Sequence, residues 1–506
     1  MFLSCTFLLF LLPYVISSTP NPWIGRSIYF VVTDRFASSY PNLPSCIDSK
    51  EWCGGNFDGL ITQLPYIADM GFDAIWVTPP VKQVGWRDDY NGTGYHGYWA
   101  QEFTEIDEHL GGPEGLLRLS EAVHELDMLF MVDVVANHVG PVHGGEDVVK
   151  FKGILGREGG EQYNTLGRGE GESMDEYIKG TPGPPNAMTD AGEECWPYYD
   201  FEEGKCDRNI VEGGWFGDLA DLNQTNVEVR EYLLEWIRWM QESFKVDGFR
   251  LDTALYIPRD FLDEFQEAAG VYIVGEVVTY NFTLHSEYQQ HLSGVLNFPV
   301  TEKLGAVFNG TMSDLQALVS ESRGAGYVDR NLLGNFVDNH DGDRFLRKVG
   351  GDVGLLKNAL AFVMLSEGVP IVYYGTENSE VAGNEDNRVG MWEFGYDSDT
   401  EVGELLKAMN GARKKFGLGW GGEYAETEME VLGVEEDWFV FGRGELVVFI
   451  NNIGRGKGGG KACFEGVKWG EGLKVIYGEG SVNEGEGGIG VCVSVGEEGD
   501  PIVAAR

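Results

Sequence analysis

Eight apolar runs rich in β-branched and aromatic residues alternate with stretches of helical periodicity; the runs lie at 28–36, 74–80, 129–138, 249–254, 272–277, 294–299, 333–341 and 370–377. The stretch VREYLLEWIRWMQESF at 229–244 shows the helical period, with apolar residues every three or four positions. This alternation constrains the fold more than any other feature. Strands joined through helical crossovers run parallel, and eight such units close into an α/β fold of the (β/α)8 TIM barrel type. A barrel of this kind brings the C-terminal ends of its strands to one face, so residues distant in the chain meet there.

Two segments break the alternation. Between residues 138 and 226 the chain runs far beyond the about 2–6 residues of an ordinary connection. It contains Gly/Glu-rich sequence together with Cys195 and Cys206, and reads as a subdomain inserted after strand 3 on the face where the site is built. Past residue 420, short runs such as WFVFGR and ELVVFINN between glycine-rich turns predict a C-terminal antiparallel β-sandwich domain. The expected organisation is a signal peptide at 1–18, a barrel at 19–138 and 222–420, an inserted subdomain B at 139–221 and a C-terminal β-domain at 421–506.

The uncharged, mostly apolar stretch 2–16, followed by Ser17 and Ser18, is too short to span a bilayer and reads as a secretory signal. The protein is therefore expected to be secreted and extracellular. Six cysteines remain after Cys5 leaves, and an even number in an exported chain points to disulfides. Sequence proximity favours Cys46–Cys53, Cys195–Cys206 and Cys463–Cys492 among the many pairings possible. Sequons at Asn91, Asn223, Asn281 and Asn309 agree with that route and make a glycoprotein the expectation. With 37 basic against 81 acidic residues the net charge is −44, which excludes a nucleic-acid partner and disfavours anionic substrates. No membrane partner is expected, and a monomer acting on a neutral ligand fits the charge.

Four of the runs turn polar at their ends: DVVANH, GFRLDT, VGEVV and FVDNHD. They place Asp252, Glu276 and Asp341 at three strand ends. A single such acid reads as a strand cap or an ion-pair partner, but three together match the carboxylates that glycosidic-bond cleavage requires. Residues two apart in a strand share a face, so Arg250 lies beneath Asp252 and favours its ionised form. Glu276 follows the apolar run YIVG, whose desolvation raises a carboxyl pKa, as a general acid needs.

In order, DVVANH, GFRLDT, GEV and FVDNHD resemble the four conserved regions of the α-amylase family of glycoside hydrolases. YHGYW at 95–99, CIDSKEWCGGN and GNEDNR resemble the fungal secreted members in particular. The resemblance implies Asp252 as nucleophile, Glu276 as acid/base and Asp341 as transition-state stabiliser. It implies that Tyr98 stacks on the sugar, with His96, Trp99, His138, Arg250, His340 and Arg388 holding hydroxyls or catalytic acids. It also implies a structural Ca2+ held by Asn137, Glu212, Asp221 and the carbonyl of Tyr256, a donor set that waters would complete. The chloride site of some relatives is not matched: Arg250 and Asn339 fit, but Glu377 stands where a basic ligand would be.

Leu255 and Tyr256 replace the Lys-His pair that the fungal enzymes usually carry on the leaving-group side. Gly214 stands at a position where many have cysteine, which leaves Cys206 to pair with Cys195. The expected activity is retaining endo-hydrolysis of α-1,4-glucosidic bonds in starch, glycogen and maltooligosaccharides. The alternatives are a 4-α-glucanotransferase or cell-wall α-glucan enzyme on the same barrel, and a non-catalytic glucan-binding barrel, which the intact acids disfavour.

Overall fold

The computed structural model describes residues 21–41, 43, 46, 50–87, 91–141, 162–164, 208–215, 219–379, 387–457, 459–465, 473–485 and 490–505. The proposed signal peptide and the Cys195–Cys206 pairing lie outside these residues. Each of the eight apolar runs overlaps a strand: β1 (Ile28–Val31), β2 (Ala74–Val77), β3 (Leu129–Val134), β4 (Gly248–Leu251), β5 (Tyr272–Gly275), β6 (Gly294–Val295), β7 (Gly334–Asn335) and β8 (Val369–Tyr373). They pair in the order β6-β5-β4-β3-β2-β1-β8-β7, and every pair is parallel. A parallel bridge from Leu296 to Gly334 joins the two ends of the sheet and closes the barrel.

The strands are shorter than the apolar runs they overlap, and β4 and β8 begin one residue before theirs. The run 294–299 yields two strand residues and then helix Phe298–Asn309, whose first turn takes Pro299. Asp252 and Glu276 each lie one residue past a strand. Their amides still donate sideways, Asp252 to the Val134 carbonyl (2.9 Å) and Glu276 to the Leu251 carbonyl (2.8 Å), which fixes the two acids side by side. The periodic helix spans Val227–Phe244; Asn226 accepts from two first-turn amides, and Lys245 ends it in the left-handed conformation.

Within the described part of the insert, His138–Pro141 pairs antiparallel with Leu219–Asp221, and His138 stands opposite Asp221. A second addition, the hairpin of Val81–Gln83 and Ala100–Ile106, follows β2 and carries the turn at 95–99. The C-terminal part forms two antiparallel sheets, of five and three strands. In Trp438–Arg443 and Leu446–Asn451 successive side chains enter different cores: Phe439, Phe441, Val448 and Ile450 join the barrel core, while Trp438, Val440, Val447 and Phe449 fill the sandwich. A strand buried on both faces reads as a continuous apolar run, as these do. Phe362 of the barrel helix Val353–Leu365 meets Phe439 and Phe441 edge-on. Cys46–Cys53 ties down a loop before the helix Phe57–Asp69, and Cys463–Cys492 joins paired strands of the smaller sheet. No helix among the described residues is long and apolar enough to cross a membrane.

Candidate active site

The C-terminal ends of the strands surround a cleft of about 680 Å³. Its floor is organised by Arg250, 1% exposed, at the centre of β4. Parallel register sets Arg250 beside Asp133 of β3. Arg250 Nη1 donates to Asp133 Oδ1 (3.0 Å) and to Asp252 Oδ1 (2.7 Å), and Nη2 pairs with Glu276 Oε1 (2.9 Å). Thr253, held at φ 48°, donates its amide to Glu276 Oε2 (2.9 Å) and its hydroxyl to Asp252 Oδ2 (3.0 Å). One buried cation thus serves three carboxyl groups.

This imbalance sets the proton inventory of the site. Burial drives the Glu276 carboxyl up to about 8 against the pull of Arg250, with Asp252 and Asp341 adding to the rise. Asp133 is pushed up to about 7, again by burial first, with Arg250 opposing. Glu276 therefore keeps its proton at neutral pH, as a general acid must.

A second group lies across the cleft. Asp341 Oδ1 accepts from Arg388 Nη2 (3.0 Å), and Oδ2 faces His340 Nε2 (3.2 Å). Asp341 stands on the open side, with water partly excluded by the walls. That desolvation opposes ionisation, but His340, Arg388 and Arg250 outweigh it and hold the carboxyl below its ordinary value. Burial drives His340 down to about 3, so at neutral pH its ring is neutral and the arginines carry the charge. The Tyr98 ring lies in offset stacks with His96 (5.7 Å) and His340 (5.2 Å), and its hydroxyl donates to Asp133 (2.8 Å). Gly97 makes this turn possible: its φ is +98°, and a Cβ there would lie 2.6 Å from the Pro79 carbonyl oxygen.

Of the residues expected at the site, His96, Tyr98, His138, Asp252, Tyr256, Glu276, His340, Asp341 and Arg388 line the cleft. Arg250 lies beneath it, and Trp99 packs edge-on against His96 at 4.9 Å instead of lining it. Sequence reasoning passed over Asp133, which accepts from Arg250, Tyr98 and the Trp76 indole (3.2 Å). The available signal was an Asp inside the apolar strand LFMVDV, which needs buried partners. Tyr280, Phe298 and Glu302 also line the cleft and carried no motif.

Beside the cleft, Asn137 Oδ1 and Asp221 Oδ1 are buried without hydrogen-bond partners among the described residues. Burial pushes the Asp221 carboxyl well up, against hydrogen bonds from Asn164 and Asn137. One carboxylate oxygen and one amide oxygen, both buried and without a donor among the described residues, suit a hard cation. Asn164 Nδ2 reaches Asp221 Oδ2 (2.7 Å) and the Glu212 main-chain oxygen (3.4 Å). The Glu212 carboxylate is taken by Arg208, so Glu212 turns its carbonyl toward this group. Among the described residues no cluster of three or more His, Cys, Asp or Glu side chains forms a metal site.

Residues 30–415 match the family described as alpha amylase, catalytic domain. The chain belongs to the α-amylase family of glycoside hydrolases. An alpha-amylase of Saccharomycopsis fibuligera is 32% identical over 86% of this chain and 82% of its own length. Alpha-amylase 1 of Schwanniomyces occidentalis is 32% identical over 87% and 81% respectively. The solved structure of an alpha-amylase from Malbranchea cinnamomea superposes with a TM-score of 0.81 at 30% identity, covering 96% of this chain and 97% of that one.

Within this α-amylase framework Leu255, Tyr256 and Glu377, which depart from the expected patterns, have distinct fates. Leu255 is buried in the core, and its carbonyl accepts from the Tyr288 hydroxyl (2.8 Å). Tyr256 lines the cleft together with Tyr280 and Phe298. Glu377 is buried and accepts from the Tyr29 (2.5 Å) and Tyr66 (2.6 Å) hydroxyls.

Proposed function

We propose that the protein is a secreted α-amylase that hydrolyses internal α-1,4-glucosidic bonds of starch, glycogen and maltooligosaccharides with retention of configuration. The observation that carries this reading is the sharing of one guanidinium by Asp252 (2.7 Å) and Glu276 (2.9 Å). Two carboxyls tied to adjacent nitrogens of one group suit the spacing of retaining enzymes, about 5–5.5 Å, better than the wider gap of inverting ones.

Glu276 passes its proton to the glycosidic oxygen as Asp252 attacks the anomeric carbon, giving a glycosyl ester and the free leaving group. The Glu276 carboxylate then takes a proton from the water that cleaves the ester, restoring both acids. Arg250 and the Thr253 hydroxyl hold Asp252 in line. Asp341, supported by Arg388 and His340, binds ring hydroxyls and favours the cationic transition state, while Tyr98 and His96 shape the wall. Asn137, Asp221 and the carbonyls of Glu212 and Tyr256 would hold a calcium ion beside this site. An ion held there would tie the chain entering the insert at His138–Pro141 to the chain leaving it at Leu219–Asp221. The apolar N-terminal stretch, the sequons and the disulfides support export, and the charge of −44 suits a neutral polymer.

The apolar wall of Tyr256, Tyr280 and Phe298 favours a second reading, glucanotransfer, because it limits water at the glycosyl ester. Maltoheptaose separates the two. Hydrolysis gives only shorter sugars, released first as α-anomers, whereas transfer gives longer ones. If maltoheptaose and soluble starch remain intact with calcium present, both readings fall.

A further inference from the structure

We infer that the chain carries a second α-glucan-binding site on the end of the barrel opposite the cleft, built around Trp420. Arg26, Asp73 and Asp127 lie one or two residues before β1, β2 and β3, which are neighbours in the barrel. They therefore gather at the N-terminal face, whereas the catalytic acids follow the strands' C-terminal ends. The packed barrel interior lies between the two faces, so a sugar bound in the cleft does not reach the second site. Together with Lys414, Leu126 and Trp420 they line a cavity of about 380 Å³.

Trp420 is 44% exposed, and its indole nitrogen has no hydrogen-bond partner among the described residues. The Arg26 guanidinium lies 5.4 Å from the ring centroid. The loop that presents the ring is held tightly. Leu418 and Gly419 amides donate to the Arg413 carbonyl (2.8 and 2.9 Å), and Tyr424 donates to Gly417 (2.8 Å). A Cβ on Gly25 would lie 2.7 Å from the Gly419 backbone, so the loop sits directly on the chain entering β1. Trp420 and Leu126, which is 41% exposed, thus share an open apolar surface on this cavity.

The polar groups define its class. Lys414 pairs with Asp73 (2.9 Å), Arg26 Nη1 reaches the Asp127 carbonyl (3.3 Å), and the Asp127 carboxylate makes no hydrogen bond among the described residues. Two cations and two carboxylates around a flat apolar face suit a neutral polyhydroxyl ring, with hydroxyls meeting both donors and acceptors. The choice of α-glucan rests on the reading proposed above, since the polymer that enters the cleft also presents rings along its length. Two sites on one polymer raise its effective concentration at the cleft.

Calorimetric titration of the Glu276→Gln protein with maltoheptaose tests this. Two sugars are expected to bind per chain. Adding Trp420→Ala reduces this to one, and Trp420→Phe restores two. Asp127→Gly, which suits the left-handed backbone at φ 56°, weakens the second site at least about fivefold. An unchanged stoichiometry in the Trp420→Ala variant overturns the second site; if the remaining binding is then lost with Tyr98→Ala, the cleft reading survives. Absence of any binding overturns both. A change in solution mass on Trp420→Ala without sugar identifies the surface as a contact between copies and also overturns the proposal.

Discussion

Arg250→Met tests the idea that one buried cation controls the proton inventory of the site. Arg250 is 1% exposed and meets Asp133, Asp252 and Glu276 at 2.7–3.0 Å. Removing one partner of a buried ion pair costs about 3–5 kcal/mol when the other charge is left uncompensated. Carboxyl groups can evade that cost by taking up protons. Arg250 now opposes the burial that raises Asp133 and Glu276, so without it both rise further in the folded state while their unfolded values stay ordinary. A folded carboxyl with a raised pKa is stabilising only when protonated, and its penalty grows as pH rises above the unfolded value toward the folded one. The variant should therefore lie close to the parent in urea unfolding at pH 5 and lose about 3–5 kcal/mol at pH 8. Turnover of maltoheptaose should fall at least about a hundredfold, because Asp252 loses the group that orients it. Arg250→Lys should recover only part of both, since one ammonium cannot span three carboxyls as the guanidinium does. Equal destabilisation at pH 5 and pH 8 would refute the reasoning and reduce Arg250 to a packing residue.

Three further outcomes are expected. Because Glu276 acts as an acid and is held up to about 8, kcat/KM should decline above that pH, and the limb should be missing from the residual activity of Glu276→Gln; a limb that persists assigns it to another group. Calcium at a hundred times its dissociation constant should stabilise the protein by about 2.7 kcal/mol, and calorimetry should show no such response in Asp221→Ala, whose parent carboxylate has a bare buried oxygen. Replacing Cys463 and Cys492, 29 residues apart, by serine should cost about 3.6 kcal/mol, against about 2.5 kcal/mol for Cys46 and Cys53, 7 apart, if loop entropy dominates; equal losses in urea unfolding would argue against that origin.

Period and chemistry are local properties, and whatever depended on them was legible in the sequence. Eight apolar runs with helical spacers predict parallel strands under a cover of helices; the bridge from Leu296 to Gly334 then closes them into a barrel. The alternation of residues within GFRLDT already set Arg250 beside Asp252, and the pair is seen at 2.7 Å. The apolar run before Glu276 already implied its raised pKa. What depended on register between strands was not legible. Asp133 belongs to the site because β3 and β4 align it with Arg250, and no spacing along one strand carries that relation. Trp99 follows Tyr98 directly, yet it packs against His96 while Tyr98 lines the cleft, because the turn at Gly97 sends their side chains different ways. Glu212 turns its carbonyl toward Asn164 because Arg208 holds its carboxylate. The Trp420 surface exists because three strand beginnings and a loop about three hundred residues later converge on one face. The sequence determined which groups were available and their spacing along each element; the closed barrel decided which of them share a proton, a cation or a ligand.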